Sequence, residues 1–160
     1  MLLTDRAGGI DLRPLRYQFP VVSGDRWDDN WLVMGADVTT SAGSWCFTDP
    51  CLLVDEVYEV SAWLRAVADG RRPDAAQDPA GRPVPDLSFL EPDLAFSQVR
   101  WHDGTGVLRV HLSLEAVPPW RQDDEGGGLH QYAVEIETDR AALIRAAEEW
   151  DRRLALFPLR

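Results

Sequence analysis

Three histidines are the residues whose types and spacing most suggest catalysis or metal binding. His102 falls in a predicted turn, whereas His111 and His130 fall in two predicted strands. If those strands pair, the two imidazoles lie side by side, but a metal site needs a third ligand, and the sequence identifies none. Solvent-exposed strand histidines are therefore the preferred interpretation. The alternative is a small metal-dependent enzyme that uses His111 and His130.

Paired acids and a glycine run are the other patterns that suggest chemistry. Adjacent acids occur at residues 28–29 and 123–124, in predicted loops. Catalysis by two carboxylates needs opposed groups of unequal pKa in a cleft, which sequence neighbours seldom provide. The glycines at residues 126–128 follow three acids rather than a strand, and the chain has no lysine for a phosphate-binding loop. We therefore expect no catalytic residue, no metal and no cofactor.

The composition indicates one acidic globular domain. With 160 residues, 45% of them hydrophobic, the chain can bury one core, so we expect a single domain over residues 1–160. The net charge is −11, which opposes nucleic-acid binding and favours fast association with a basic partner. No apolar run is long enough to cross a membrane, and the first residues do not resemble a secretory signal. The sequence thus predicts a soluble, cytoplasmic protein.

The two cysteines, Cys46 and Cys51, are too few for a disulfide framework. Their spacing matches no metal-binding pattern, and their neighbours are apolar. In a reducing cytoplasm such residues are usually unpaired thiols. We therefore predict two free cysteines, and the sequence leaves open whether they have a role.

Hydrophobic periodicity predicts the elements that would position these residues. Strands are predicted at residues 10–19, 31–40, 45–53, 87–90, 94–101, 107–114 and 129–137. Helices are predicted from Asp55 to Gly70 and from the Thr138-Asp139 cap to Pro158, each with one apolar stripe. Exposed loops are expected near residues 71–86 and 116–128. The predicted fold class is α+β, an antiparallel sheet of about six or seven strands with two helices packed on one face.

The segment Trp27-Asp28-Asp29-Asn30-Trp31-Leu32 is the most distinctive short motif of the chain. The side chains of Asp28 and Asn30 can accept hydrogen bonds from nearby amides and hold a fixed loop. The flanking indoles are large enough to anchor both ends of that loop in a core. From the residues alone, this motif predicts a structural turn.

This motif and a second one, Leu-Glu-Pro-x-Leu at residues 90–94, carry a family resemblance. Together with residues 15–20, 52–53 and 132–137, and in the same order, they resemble the WapI family of bacterial immunity proteins. The residues that carry the two motifs are Trp27, Asp28, Asn30, Trp31, Leu32, Leu90, Glu91 and Pro92. The loops at residues 71–86 and 122–128 match no pattern of the family.

The resemblance implies a non-enzymatic protein that binds and neutralises a toxin domain, often a nuclease, made by the same cell. An acidic inhibitor suits such a target, because nucleases bind their substrate in basic grooves. The candidate toxin contacts are Trp120 and the acidic loop Asp123, Asp124 and Glu125, with a second acidic patch of Asp25, Asp28 and Asp29. A regulatory or structural interaction domain without a toxin partner remains the alternative.

Trp120 lies between two prolines and this acidic loop, where no core periodicity accounts for it. An exposed tryptophan beside acids can anchor a protein interface. It can equally fold back onto the sheet as part of the core. The sequence leaves both interpretations open.

Overall fold

The structure, a computed structural model, describes residues 1–121, 129–130 and 132–160. Its first sheet has four antiparallel strands, β1 (Leu2–Thr4), β2 (Gly9–Tyr17), β3 (Trp31–Thr40) and β4 (Gly43–Leu53). Each strand pairs with the next along the chain, so the spatial order is β1-β2-β3-β4. The short β1–β2 and β3–β4 connections require this antiparallel arrangement.

The edge strand β4 continues through Pro50 into a bulge at Cys51. Proline lacks an amide donor, so a sheet accepts it at an edge or a bulge. Cys51 is fully buried and Cys46 is exposed, and neither forms a disulfide. The prediction of two free thiols is confirmed.

The first helix, α1 (Val54–Ala68), follows β4 directly. Its apolar residues recur at three- and four-residue steps, which places them on one buried face: Val57, Val60, Leu64 and Val67. Gly70 lies just beyond the helix with a φ of 64°, a left-handed conformation that glycine adopts at little cost. The helix therefore begins and ends close to the predicted positions.

The second sheet is also antiparallel and has four strands, β5 (Leu87–Ser88), β6 (Leu94–His102), β7 (Thr105–Leu112) and β8 (Tyr132–Asp139). Its spatial order is β5-β6-β7-β8. The β6–β7 turn consists of two residues that both have positive φ, the backbone that tight hairpins prefer.

The second helix, α2 (Arg140–Leu154), begins at the Asp139 cap that the sequence predicts. The Asp139 carboxylate accepts a hydrogen bond from the backbone N–H of Ala142 at 2.7 Å. Within the described ranges, no helix combines the length and apolar character needed to cross a membrane.

One hydrophobic core is shared by both sheets and both helices. The indole of Trp150 on α2 is fully buried and donates a 2.7 Å hydrogen bond to the Val57 carbonyl of α1. Trp63 on α1 packs against Phe96 of β6, with 5.7 Å between the ring centroids. Aromatic side chains thus connect the two helices to each other and connect α1 to the second sheet.

The α+β class with two helices is confirmed, but the strand arrangement differs from the prediction. The described residues form eight strands in two sheets of four, rather than six or seven strands in one sheet. Helix α2 contacts strands of both sheets instead of one face of a single sheet. Alternating hydrophobicity identifies a strand but not its neighbours, and β1 is too short to show a period.

The proline-rich segment 71–86 folds back over the second sheet. The Ala75 N–H donates to the Gln98 carbonyl at 2.6 Å, and the Ser97 hydroxyl donates to the Val84 carbonyl at 3.1 Å. The segment itself is mostly exposed, but it covers one face of β6. Residues beneath it are therefore buried although the strand pattern places them outward.

Candidate functional site

The segment from Trp27 to Leu32, which we call the Trp27 motif, begins in a surface turn between β2 and β3. This turn contains a short 3₁₀ helix at Asp28–Asn30. The Asp29 carboxylate accepts hydrogen bonds from the backbone N–H groups of Ser23 at 2.7 Å and Gly24 at 2.8 Å. These bonds lower the pKa of Asp29 below its ordinary value. Because Asp29 is only 3% exposed, its role here is to hold the turn.

Two further side chains of the segment complete this framework. The Asp25 carboxylate accepts hydrogen bonds from the N–H groups of Trp27 at 2.8 Å and Asp28 at 3.1 Å. The Asn30 side chain donates to the Arg160 carbonyl at 3.2 Å and accepts from the Arg160 N–H at 2.9 Å. Asn30 therefore has the predicted role in holding the turn, and it joins the turn to Arg160. The carboxylates that hold the turn are those of Asp25 and Asp29, rather than that of Asp28 as predicted.

The orientation of the first tryptophan differs from the prediction. Trp27 is 55% exposed, whereas Trp31 is half-buried and Leu32 is fully buried in β3. Of the two tryptophans, only Trp31 lies in a strand, where successive side chains alternate between the two faces of the sheet. Trp27 precedes the 3₁₀ turn and lies on the surface, so the expectation that both indoles anchor the loop in a core is wrong for Trp27.

The Leu-Glu-Pro motif lies beside this turn because Glu56 of α1 holds it there. One carboxylate oxygen of Glu56 accepts a hydrogen bond from the Leu90 N–H at 2.7 Å, and the other accepts from the Leu53 N–H at 2.9 Å. Leu90 itself is 61% exposed. One acidic side chain thus caps α1 and fixes the position of an exposed leucine.

The two motifs line the same open cavity, of about 400 Å³, which we call the Trp27 groove. Arg26 and Asp55 form a 3.1 Å ion pair within it. The lining residues come from the turn, the start of α1 and the segment before the Leu-Glu-Pro motif: Arg26, Trp27, Asn30, Leu53, Asp55, Glu56, Ser88, Phe89 and Leu90. An apolar groove with exposed tryptophan and leucine walls is typical of a binding surface.

Trp120 lies far from this groove in the sequence, in a short 3₁₀ turn at Pro119–Arg121. Its ring packs edge-on against Trp45 with 5.5 Å between centroids, yet 48% of the residue remains exposed. It is both folded back onto the first sheet and accessible to a partner. Asp123, Asp124 and Glu125 lie outside the described residues, so their role in an interface stays a prediction.

His111 and His130 lie side by side, with 5.8 Å between ring centroids. The expectation of solvent-exposed strand histidines is wrong, because His111 is buried and His130 lies in a half-buried turn before β8 rather than in a strand. His111 is 1% exposed, and its Nε2 lies 2.5 Å from the Ser97 hydroxyl oxygen. Burial lowers the pKa of His111 to about 4. Segment 71–86 covers this face of the sheet, which the strand alternation does not reveal.

The histidine pair does not form a recognisable active site. Ser97 is fully buried beside His111, so a substrate has no access to its hydroxyl group. Across the described ranges, one group of three ionisable side chains lies close enough to share a metal ion, and it contains neither histidine. The third ligand that a small metal-dependent enzyme would need is therefore not found in this part of the chain.

Comparison with known families places the chain in one of them. A family model described as the immunity protein WapI-like family matches residues 1–158. Since the match covers nearly the whole sequence, the chain belongs to this family of immunity proteins. Comparisons with curated proteins and with solved structures gave no significant match.

Proposed function

We propose that this protein is a non-enzymatic immunity protein that binds a toxin domain, expected to be a nuclease, in the cytoplasm of the producing cell. The family match over residues 1–158 is the observation that carries this proposal. The net charge of −11 supports a basic target, because opposite charge accelerates association and suits the groove of a nuclease.

The Trp27 groove is the surface we propose for the toxin. Trp27 and Leu90 are 55% and 61% exposed, and both have a backbone N–H bound to a carboxylate. Large apolar side chains on a rigid backbone lose little conformational freedom on binding, which makes them effective anchors. The groove also joins the two motifs that define the family resemblance.

Exposed acids near the groove are the proposed polar rim. Asp25 and Asp28 are exposed on the turn, and Asp55 is exposed at the start of α1. Acidic rim residues mainly increase the association rate of a basic partner, whereas the apolar anchors slow dissociation. The second proposed contact is Trp120 with the acidic loop at residues 123–125.

Co-expression tests the function directly. The protein is produced together with the C-terminal toxin module of a large secreted protein encoded beside its gene, and cell survival and co-purification are scored. Survival with a stable complex supports immunity. Death of the cells and no complex, with every neighbouring module, would contradict the proposal and favour a regulatory or structural interaction domain.

Alanine variants then test the surface. Trp27→Ala and Leu90→Ala should each weaken the complex at least about tenfold, chiefly through faster dissociation. Leu156→Ala is the matched control, because Leu156 is 75% exposed and does not line the groove. Equal affinity of all three variants would remove the groove from the interface without affecting the immunity function. Reversal of the acids at residues 123–125 to lysine should slow association if that loop contributes.

A further inference from the structure

Three carboxylates from distant parts of the sequence converge where the two sheets meet. Asp49 lies on β4, Asp93 lies just before β6, and Glu115 lies in the 3₁₀ turn Leu114–Ala116 that follows β7. One ligand oxygen from each residue lies within 4.8 Å of the other two. Convergence of three like charges without compensation is unfavourable, so it calls for a physical explanation.

Asp93 supplies a second and independent observation. The residue is 2% exposed, and its Oδ1 has no hydrogen-bond partner among the described residues. A buried carboxylate oxygen without a donor costs free energy unless a cation or a water satisfies it. The charges that act on Asp93 are those of Asp49, Glu115 and Glu91, and all are negative.

Two hydrogen bonds hold the backbone segments that carry Asp93 and Glu115. The indole of Trp45 donates to the Ala116 carbonyl at 3.0 Å, next to Glu115. The Ser113 N–H donates to the Asp93 carbonyl at 2.9 Å, which fixes the turn against the start of β6. The three carboxylates thus come from β4 of the first sheet and from segments that border β6 and β7 of the second sheet.

We propose that Asp49, Asp93 and Glu115 form a Ca²⁺-binding site. Carboxylate oxygens are ligands for hard cations, and the group contains neither the thiolate nor the imidazole that zinc prefers. Calcium takes about six to eight oxygen ligands in a flexible geometry, which suits three protein carboxylates, whereas magnesium usually keeps several waters and binds only one or two carboxylates. Water completes the coordination on the exposed side of Glu115.

The bound ion joins the first sheet to the second. It neutralises the buried Asp93 carboxylate and ties β4 to the segment that precedes β6. That segment begins with the Leu-Glu-Pro motif, so the ion also steadies the chain that carries Leu90. The consequence is a fold whose stability depends on calcium, whether or not a toxin is the partner.

Thermal unfolding and terbium luminescence test the site in the full-length protein. The protein is stripped with a chelator and then titrated with CaCl₂, MgCl₂ or NaCl at equal ionic strength. We expect a saturable rise in Tm with CaCl₂ that exceeds those with MgCl₂ and NaCl. Terbium, a calcium substitute, should show sensitised emission on excitation of tryptophan, because Trp45 contacts the turn that carries Glu115.

Two variants and one control separate binding from folding. Asp93→Asn and Glu115→Gln should each weaken calcium and terbium binding at least tenfold. Glu115 is exposed, so its variant remains informative if Asp93→Asn does not fold. Asp103→Asn has the same charge change on the exposed β6–β7 turn and should bind normally. An equal response to all three salts, or unchanged terbium emission in both variants, would overturn the proposal, and a larger Tm rise with MgCl₂ would overturn the assignment to calcium.

Discussion

Asp93→Asn is expected to stabilise the metal-free protein at neutral pH, although it changes a buried residue. Burial raises the pKa of Asp93 from 3.8 to about 6, and the negative charges of Asp49 and Glu115 act in the same direction. The folded protein therefore disfavours the ionised form that predominates at neutral pH. Asparagine keeps the shape of the side chain and removes this charge.

The size of the effect follows from the two pKa values. Below pH 3.8 the Asp93 carboxyl is protonated in both the folded and the unfolded chain, so it contributes nothing. Between pH 3.8 and about 6 the unfolded chain releases the proton first, and the free energy of unfolding falls as the pH rises. At about 1.4 kcal/mol per pH unit, the full loss is about 3 kcal/mol and is reached above about pH 6.

Urea denaturation followed by tryptophan fluorescence measures this effect in the presence of a chelator. At about pH 7.5, Asp93→Asn should be about 3 kcal/mol more stable than the wild type, which corresponds to a Tm increase of roughly 6–12 °C. At about pH 4 the two proteins should be nearly equal in stability. Saturating calcium should stabilise the wild type alone and so reduce the difference at pH 7.5.

The control is Asp103→Asn, whose exposed carboxylate should change stability by less than about 0.5 kcal/mol at either pH. The reasoning is refuted if Asp93→Asn is less stable than the wild type at pH 7.5 without metal. It is also refuted if the difference between the two proteins is the same at pH 4 and pH 7.5. Either result would mean that the charge of Asp93 is compensated within the fold.

Two further predictions concern the groove and the thiols. Glu56→Ala removes the acceptor for the N–H groups of Leu53 and Leu90, so it should cost about 2 kcal/mol in urea denaturation and increase amide exchange at Leu90. In the native protein, Ellman's reagent should modify exposed Cys46 rapidly. Cys51 should react only after unfolding, because burial raises the pKa of its thiol and blocks access.

Single-residue controls accompany both measurements. Glu59→Ala, on the exposed face of α1, should change stability by less than about 0.5 kcal/mol. A similar loss in both glutamate variants would show that the missing negative charge near the helix N-terminus, rather than the two hydrogen bonds, explains the effect. Cys46→Ser should abolish the fast thiol reaction. Two fast-reacting thiols in the native wild type would contradict the burial of Cys51.

Local features of the fold were predictable because local chemistry determines them. The Asp139 cap, Gly70 beyond α1 and the two free cysteines depend on a few neighbouring residues, and each lies as predicted. The division into two sheets was not predictable, because alternation along a strand carries no information on its partners. The exposure of Trp27 was not predicted for a related reason. Trp27 lies in a turn, and a turn has no hydrophobic periodicity that would show which residues face the core.

The residues of the candidate sites show the same limit. His111 is buried because a segment far away in sequence covers its strand, and no pattern within the strand indicates this. Asp49, Asp93 and Glu115 have no motif spacing, so only their convergence in the fold brings them together. Asp49 lies between Thr48 and Pro50, and Asp93 lies between Pro92 and Leu94, so the neighbouring residues do not indicate that either acid is drawn into the fold. A buried acid needs a partner, and the sequence alone does not show which residues lie near it.

The position of the Leu-Glu-Pro motif is explained by hydrogen bonds on either side of it, one beside the Trp27 groove and one beside the proposed calcium site. Its first residue, Leu90, is held by Glu56 of α1, and Asp93, which follows the motif, is held by the Ser113 N–H. The four-residue segment between these bonds therefore spans from the start of α1 to the turn after β7. A segment fixed at both ends presents Leu90 to a partner with little loss of conformational freedom. The second attachment is made by the backbone carbonyl of Asp93, whose carboxylate is buried nearby, so we expect neutralisation of that carboxylate to increase order at the groove through the same short piece of chain.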